Sequence, residues 1–124
     1  MKTIKITVLF VAALFATASM AVDINNMNGD GNELKGLSDA VTRIQQGASL
    51  GENDLPAAFM FFGYVRGLVG LKTHPILCLS NEQITNSQYF GIVTKYLNDN
   101  PARLHLPASD LIIEAINQAF PCAK

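Results

Sequence analysis

Apolar residues recur along the chain at intervals of three and four, and nowhere do they alternate for long enough to build a sheet. Leu34, Leu37, Val41 and Ile44 fall on one side of a helix that Gly47 is placed to end. Tyr89, Val93, Tyr96 and Leu97 mark a second such face. It is opened by Thr85-Asn86-Ser87-Gln88, a T-x-x-Q capping box, and closed by Asn98-Asp99-Asn100-Pro101. Behind Pro107, the residues Ala108, Leu111, Ile112, Ala115, Ile116 and Ala119 form a wide apolar stripe, and Pro121 breaks the helix that carries it. The stretch "PAAFMFFGYVRGLVGL" is apolar nearly all round, the pattern expected of a helix at the centre of a fold. Asn53 or Asp54 can cap it, and Pro56 is tolerated in its first turn. The predicted class is all-α: a small bundle of about four to five helices with one disulfide.

Within the apolar stretch, Gly63, Gly67 and Gly70 recur at four and three residues and so share a face. Each costs about 1 kcal/mol in a helix interior. Three on one face predict the close approach of another backbone, either in the core of a soluble domain or across a dimer. A membrane dimer motif is the alternative, but the segment is short for a span and holds Arg66.

The first 21 residues have a different pattern. Lys2 and Lys5 precede an apolar run from Ile6 to Phe15, and Ser19-Met20-Ala21 offers a small-x-small cleavage site. Residues 1–21 are thus expected to be a secretory signal peptide, residues 22–31 a mobile polar lead-in and residues 32–124 one helical domain. No later segment is apolar and long enough to span a membrane. Loss of Lys2 and Lys5 takes the formal charge of −1 for the whole chain to −3 for the exported part. There is no basic stripe, which argues against nucleic acid as a partner. Export also bears on the cysteines. The chain has two, Cys78 and Cys122, and in an oxidising compartment an even count reads as a disulfide. His74 and His105 do not sit at zinc spacing with them, and an exported free thiol is unusual.

Catalytic chemistry is scarce. No Ser/His/Asp set is legible, and no glycine-rich phosphate loop follows a strand. Glu82, Asp99, Asp110 and Glu114 read as helix-end and surface charges. His105 is expected to hydrogen-bond loop backbone, with a contact or pH-sensitive role as the alternative, and His74 is expected to be exposed. No metal, no cofactor and no enzymatic activity are expected.

Several motifs occur in order: Gly63-Tyr64-Val65-Arg66-Gly67, Cys78, Ile84-Thr85 with Gln88, Lys95-Tyr96-Leu97, Pro101, Leu104-His105, Ala108, and Ala119-Phe120-Pro121-Cys122. Together they span about two thirds of the expected mature chain. The set resembles the resistance-associated and Tai-type immunity proteins of bacteria with type VI secretion. Two departures stand out. The family usually carries a second cysteine pair, at places that here look like Ser38 and Phe61, and a proline where this chain has Ser80. The resemblance implies a periplasmic, homodimeric protein that binds a cognate peptidoglycan amidase effector and blocks its active-site cleft. It implies no nucleic-acid partner and no membrane association once the signal is removed. An inhibitor of this kind needs a rigid scaffold and a protruding loop. The first candidate contact loop is Asn98, Asp99, Asn100, Pro101, Ala102 and Arg103, and the second is Glu52, Asn53 and Asp54. A small periplasmic helical stress chaperone is the alternative reading.

We predict that the exported chain carries a Cys78–Cys122 disulfide, which would tie the end of the last helix to the connector after the glycine-bearing one. Intact mass under non-reducing conditions should show two hydrogens lost. Cys78→Ser and Cys122→Ser should lower the melting temperature by similar amounts, because each removes the same closure of a loop of about 45 residues, worth at most about 4 kcal/mol. Two titratable thiols in the native protein would contradict this.

Overall fold

A computed structural model describes residues 28–70, 77, 79 and 83–122. Among these there are four α-helices and no strands: α1 (Gly31–Gln45), α2 (Asp54–Gly70), α3 (Asn86–Asp99) and α4 (Ala108–Ala119), with a single 3-10 turn over Pro101–Arg103. The expected signal peptide, Cys78, His74 and Glu82 lie outside the described residues. No described helix is long and apolar enough to cross a membrane.

The helix boundaries follow from local chemistry. Asp30 caps α1 by accepting from the Glu33 backbone N–H at 3.0 Å, and Gly47 leaves the helix with φ of 65°. Thr85 and Gln88 form the expected capping box, in which the Gln88 backbone donates to Thr85 Oγ1 at 3.3 Å and the Thr85 backbone donates to Gln88 Oε1 at 2.7 Å. Asn100 ends α3 and donates from its side chain to the Tyr96 carbonyl at 2.8 Å. The last residues of the expected mobile lead-in are held rather than loose. The backbone N–H groups of Asn28 and Gly29 both donate to the Glu33 carboxylate, and the Gly29 carbonyl accepts from the Ala108 N–H at 2.8 Å.

The four helices pack chiefly as two pairs, α1 on α2 and α3 on α4. The core between them holds Leu34 and Leu37 of α1, Phe61, Val65 and Val69 of α2, Val93 and Leu97 of α3, and Leu111, Ile112 and Ile116 of α4. Tyr89, Val93, Tyr96 and Leu97 are all buried, as their spacing predicts. The α4 stripe is buried as expected except at Ala119, which is exposed at the helix end. Phe62 of α2 stacks on Phe90 of α3 with ring centroids 4.6 Å apart, which closes the seam between those two helices.

The expectation for α2 needs correction. Only one side of it faces the core. Leu55, Phe59, Met60 and Tyr64 are exposed, Phe59 at 65%. Gly63, Gly67 and Gly70 lie on that same outer side, and a Cβ at any of them would meet nothing within 4 Å. The close approach expected at these glycines therefore does not occur inside the protomer. The glycine that does mediate a tight contact is Gly31. A Cβ there would lie 2.2 Å from Leu111 Cδ1 and 2.8 Å from the Leu104 carbonyl oxygen.

Gly31→Ala should overpack this contact and cost about 1–3 kcal/mol, because the Leu104 backbone cannot step aside. Gly91→Ala is the control: it also adds a methyl to a helix, but into open space. Thermal melts should show a clear drop for the first and none for the second. Equal melting temperatures for Gly31→Ala and the parent would refute the contact.

Candidate functional site

The segment between α3 and α4 is a rigid, projecting turn. Its base is fixed from three sides. Backbone bonds join it to the start of α1, with the Gly31 N–H donating to Leu106 and the Asn32 N–H to Leu104, both at 2.9 Å. The Asn32 side chain adds a bond to the same Leu104 carbonyl at 3.1 Å. Leu104 is buried beneath the turn. From α4, Glu114 receives the Arg103 guanidinium at 2.5 and 2.7 Å and also accepts from the Tyr96 hydroxyl. Burial and that bond to Glu114 raise the Tyr96 pKa above the usual tyrosine range, so its proton stays in place as a donor.

The sequence candidates on this turn divide accordingly. Asn98 and Asp99 are exposed, and Asp99 pairs with Lys95 one helical turn back. Asn100 spends its amide on the α3 carboxyl end. Arg103, a proposed contact residue, is turned inward onto Glu114 and is a structural anchor of the turn. Pro101, Ala102 and His105 are left on the outside. His105 Nδ1 faces the Ala102 carbonyl at 3.1 Å, the loop-backbone bond expected of it.

The second candidate loop is at the other end of α1. Glu52 is exposed and Asn53 half-buried, but Asp54 is buried. Its carboxylate accepts from Arg43 Nε at 3.2 Å, from the Arg43 Nη2 group and from the Gly51 N–H at 2.7 Å. Asp54 thus joins the end of α1 to the start of α2 and is not available to a partner. From Gly31 to Arg43, α1 rises about 18 Å, so the two candidate loops do not form one site.

The exposed turn does continue into another feature. A groove of about 600 Å³ runs between α1 and α3, with Val41, Phe62 and Phe90 among its apolar walls and Thr42, Thr94 and Asn98 among its polar ones. Asn98 and Asp99 line it and also begin the turn. Sequence periodicity could not reveal this groove, since its walls come from three helices. The Tyr96–Glu114–Arg103 cluster was equally hidden, because Glu114 reads locally as a surface charge. Among the described residues no group of acidic, histidine and cysteine side chains could hold a metal ion.

A family model for Rap1a immunity proteins matches residues 30–122. The chain belongs to the Rap1a immunity protein family. The matched span starts at Asp30, the cap of α1, and ends at Cys122, so it takes in all four helices and the turn between α3 and α4. Membership makes this an immunity protein, with a cognate secreted effector as its partner, in a family that is in general non-enzymatic. No curated protein and no solved structure matches the chain.

The Arg43–Asp54 pair gives this Rap1a-family chain a defined acid response. The Arg43 guanidinium and the Gly51 N–H hold the Asp54 pKa below the usual aspartate range. Such a depressed group contributes its full stability above the unfolded value, near pH 4, and loses it as pH falls through the folded value. Asp54→Asn should cost about 1–2 kcal/mol at neutral pH, discounted for the partial exposure of Arg43. The melting temperatures of parent and variant should converge below about pH 4. A gap that stays constant from pH 7 to pH 2.5 would show that the ion pair is not the cause.

Proposed function

We propose that this protein is exported to the periplasm and there neutralises a peptidoglycan amidase effector delivered by type VI secretion, as the Tai-type resemblance implies. It does so by placing the turn between α3 and α4 in the enzyme's cleft. The observation that carries this reading is the preorganisation of that turn. Pro101, Ala102 and His105 are exposed at its surface, while Gly31, Asn32 and Glu114 fix its base. A loop that is already ordered avoids the cost of ordering it on binding, so more of its contact energy appears as affinity. Occlusion of a cleft requires shape and rigidity and no reactive group. In this reading the working form is a homodimer, and the Cys78–Cys122 disulfide holds the end of α4.

The test is inhibition by the purified mature chain. It should bind one cell-wall amidase with nanomolar or tighter affinity, about −12 kcal/mol. At stoichiometric amounts it should stop cleavage of peptidoglycan peptides. Ala102→Arg combined with Asp99→Ala changes only exposed positions and should weaken binding by about 2–5 kcal/mol with the melting curve unchanged. Arg103→Ala is unsuitable for this purpose, since it releases Glu114 as well. A double variant that inhibits as well as the parent would remove the turn from the interface. Broad suppression of client aggregation in acid, with no amidase bound, would replace the immunity reading with that of a chaperone.

A further inference from the structure

Most polar side chains of the turn between α3 and α4 are engaged within the protein. Asp99 pairs with Lys95, the Asn100 amide nitrogen donates to the Tyr96 carbonyl, and the Arg103 guanidinium lies on Glu114. Pro101 and Ala102 have no polar side chain. His105 differs from all of these. Its side chain is exposed, and its Nδ1 faces back onto the turn while Nε2 is left over.

The inward bond decides which nitrogen holds the proton. Nδ1 lies 3.1 Å from the Ala102 carbonyl oxygen. A carbonyl can only accept, so Nδ1 must donate. In the neutral imidazole Nε2 is then a bare acceptor. Among the described residues nothing bonds to it. The two ring nitrogens point in widely diverging directions, so a ring that turns Nδ1 back onto the turn directs Nε2 away from it. The backbone on either side of His105 is held as well. Leu104 is buried and its carbonyl accepts from Asn32, while the Leu106 carbonyl accepts from Gly31. The outward lone pair is thus carried on a fixed support.

The chemistry of a peptide-cleaving cleft supplies what such an acceptor needs. An enzyme that cleaves an amide presents hydrogen-bond donors where negative charge develops on the substrate's carbonyl oxygen. A lone pair brought to those donors on a rigid turn can satisfy them. The imidazole offers no acyl carbon to a nucleophile, so the donors are occupied without turnover.

We infer that His105 is a specificity-determining contact of the turn, with Nδ1–H tied to the Ala102 carbonyl and Nε2 accepting from a donor in the effector's cleft in place of the substrate carbonyl oxygen. This rests on the reading that the turn enters the cleft, and it names the atom and the hydrogen-bond polarity of the contact.

Two amide substitutions separate the outward role from the inward one. In His105→Asn the side-chain nitrogen can reach the place of Nδ1 and keep the bond to Ala102, with nothing at the place of Nε2. In His105→Gln the longer side chain brings its amide to the place of Nε2 and gives up the inward bond. Inhibition of the amidase by the purified mature chain should weaken at least ~10-fold for His105→Asn, because a donor in the cleft is left unpaired. His105→Gln should stay close to the parent, and both melting curves should match the parent's, since the replaced ring is exposed. In the free protein, the nitrogen resonances of the neutral ring should show Nδ1 protonated and Nε2 bare. The opposite tautomer would overturn the inference. So would the reverse order of the variants, which would mean that His105 only holds the turn, and so would an equal loss in both or a loss in neither. If His105→Asn inhibits like the parent while Ala102→Arg with Asp99→Ala does not, the turn remains the contact and the role of His105 is overturned. A parent chain that binds no cell-wall amidase would overturn both.

Discussion

A short backbone clasp between the start of α1 and the turn before α4 governs the geometry of this protein. Three bonds make it: Gly31 to Leu106, Asn32 to Leu104, and Ala108 back to Gly29. Asp30 and Pro107 sit opposite one another in it as an isolated antiparallel bridge. Each bond contributes only about 1 kcal/mol net, but they act on residues some 75 positions apart and fix two helix starts at once. The clasp forms only because residue 31 has no side chain. Leu111 and the Leu104 backbone occupy the space a Cβ would need. One glycine thus sets how α1 meets α4, and so where the turn between α3 and α4 projects.

Ionic contacts complete what the clasp begins, one at each end of α1. Arg43 and Asp54 set the corner into α2, and Arg103 and Glu114 set the back of the projecting turn. Both pairs join residues 11 positions apart on different elements. Neither leaves a trace in local sequence, which explains why Asp54 and Arg103 read as free loop charges when they are in fact committed. Exposed ion pairs add little stability, and these are partly shielded and multiply bonded, which makes them useful for geometry.

What the sequence made legible was whatever depends on neighbours within one turn of helix. The Thr85–Gln88 capping box, the buried face of α3 and nearly all of the α4 stripe were readable from spacing alone. The helix start of α3 followed from the same local chemistry, whereas the Asp30 cap of α1 lay within the stretch read as a mobile lead-in. For α2, spacing was insufficient. A helix apolar on both sides gives the same pattern whether it is surrounded by its own chain or lies between its own core and a second molecule. The three glycines read as a site of close packing, yet a Cβ at any of them would meet nothing within the protomer. Within the candidate turn, the exposed residues Asn98 and Asp99 were identified, and the inward-facing Arg103 was not separated from them.

These features divide the molecule by task. The core between the two helix pairs and the clasp fix the scaffold. One outer face, on α2, exposes apolar side chains, and another region holds the exposed turn, anchored at its base, beside a groove of mixed apolar and polar walls. An immunity protein must hold its effector tightly while leaving its own fold unstrained, and spatial separation of those surfaces makes this possible. In the proposed reading, substitutions at Pro101 or Ala102 would alter which effector is recognised without touching Gly31, Leu104 or Glu114, which hold the turn in place. Recognition can therefore diverge within a fixed fold, because the residues that would specify a partner carry almost none of the packing.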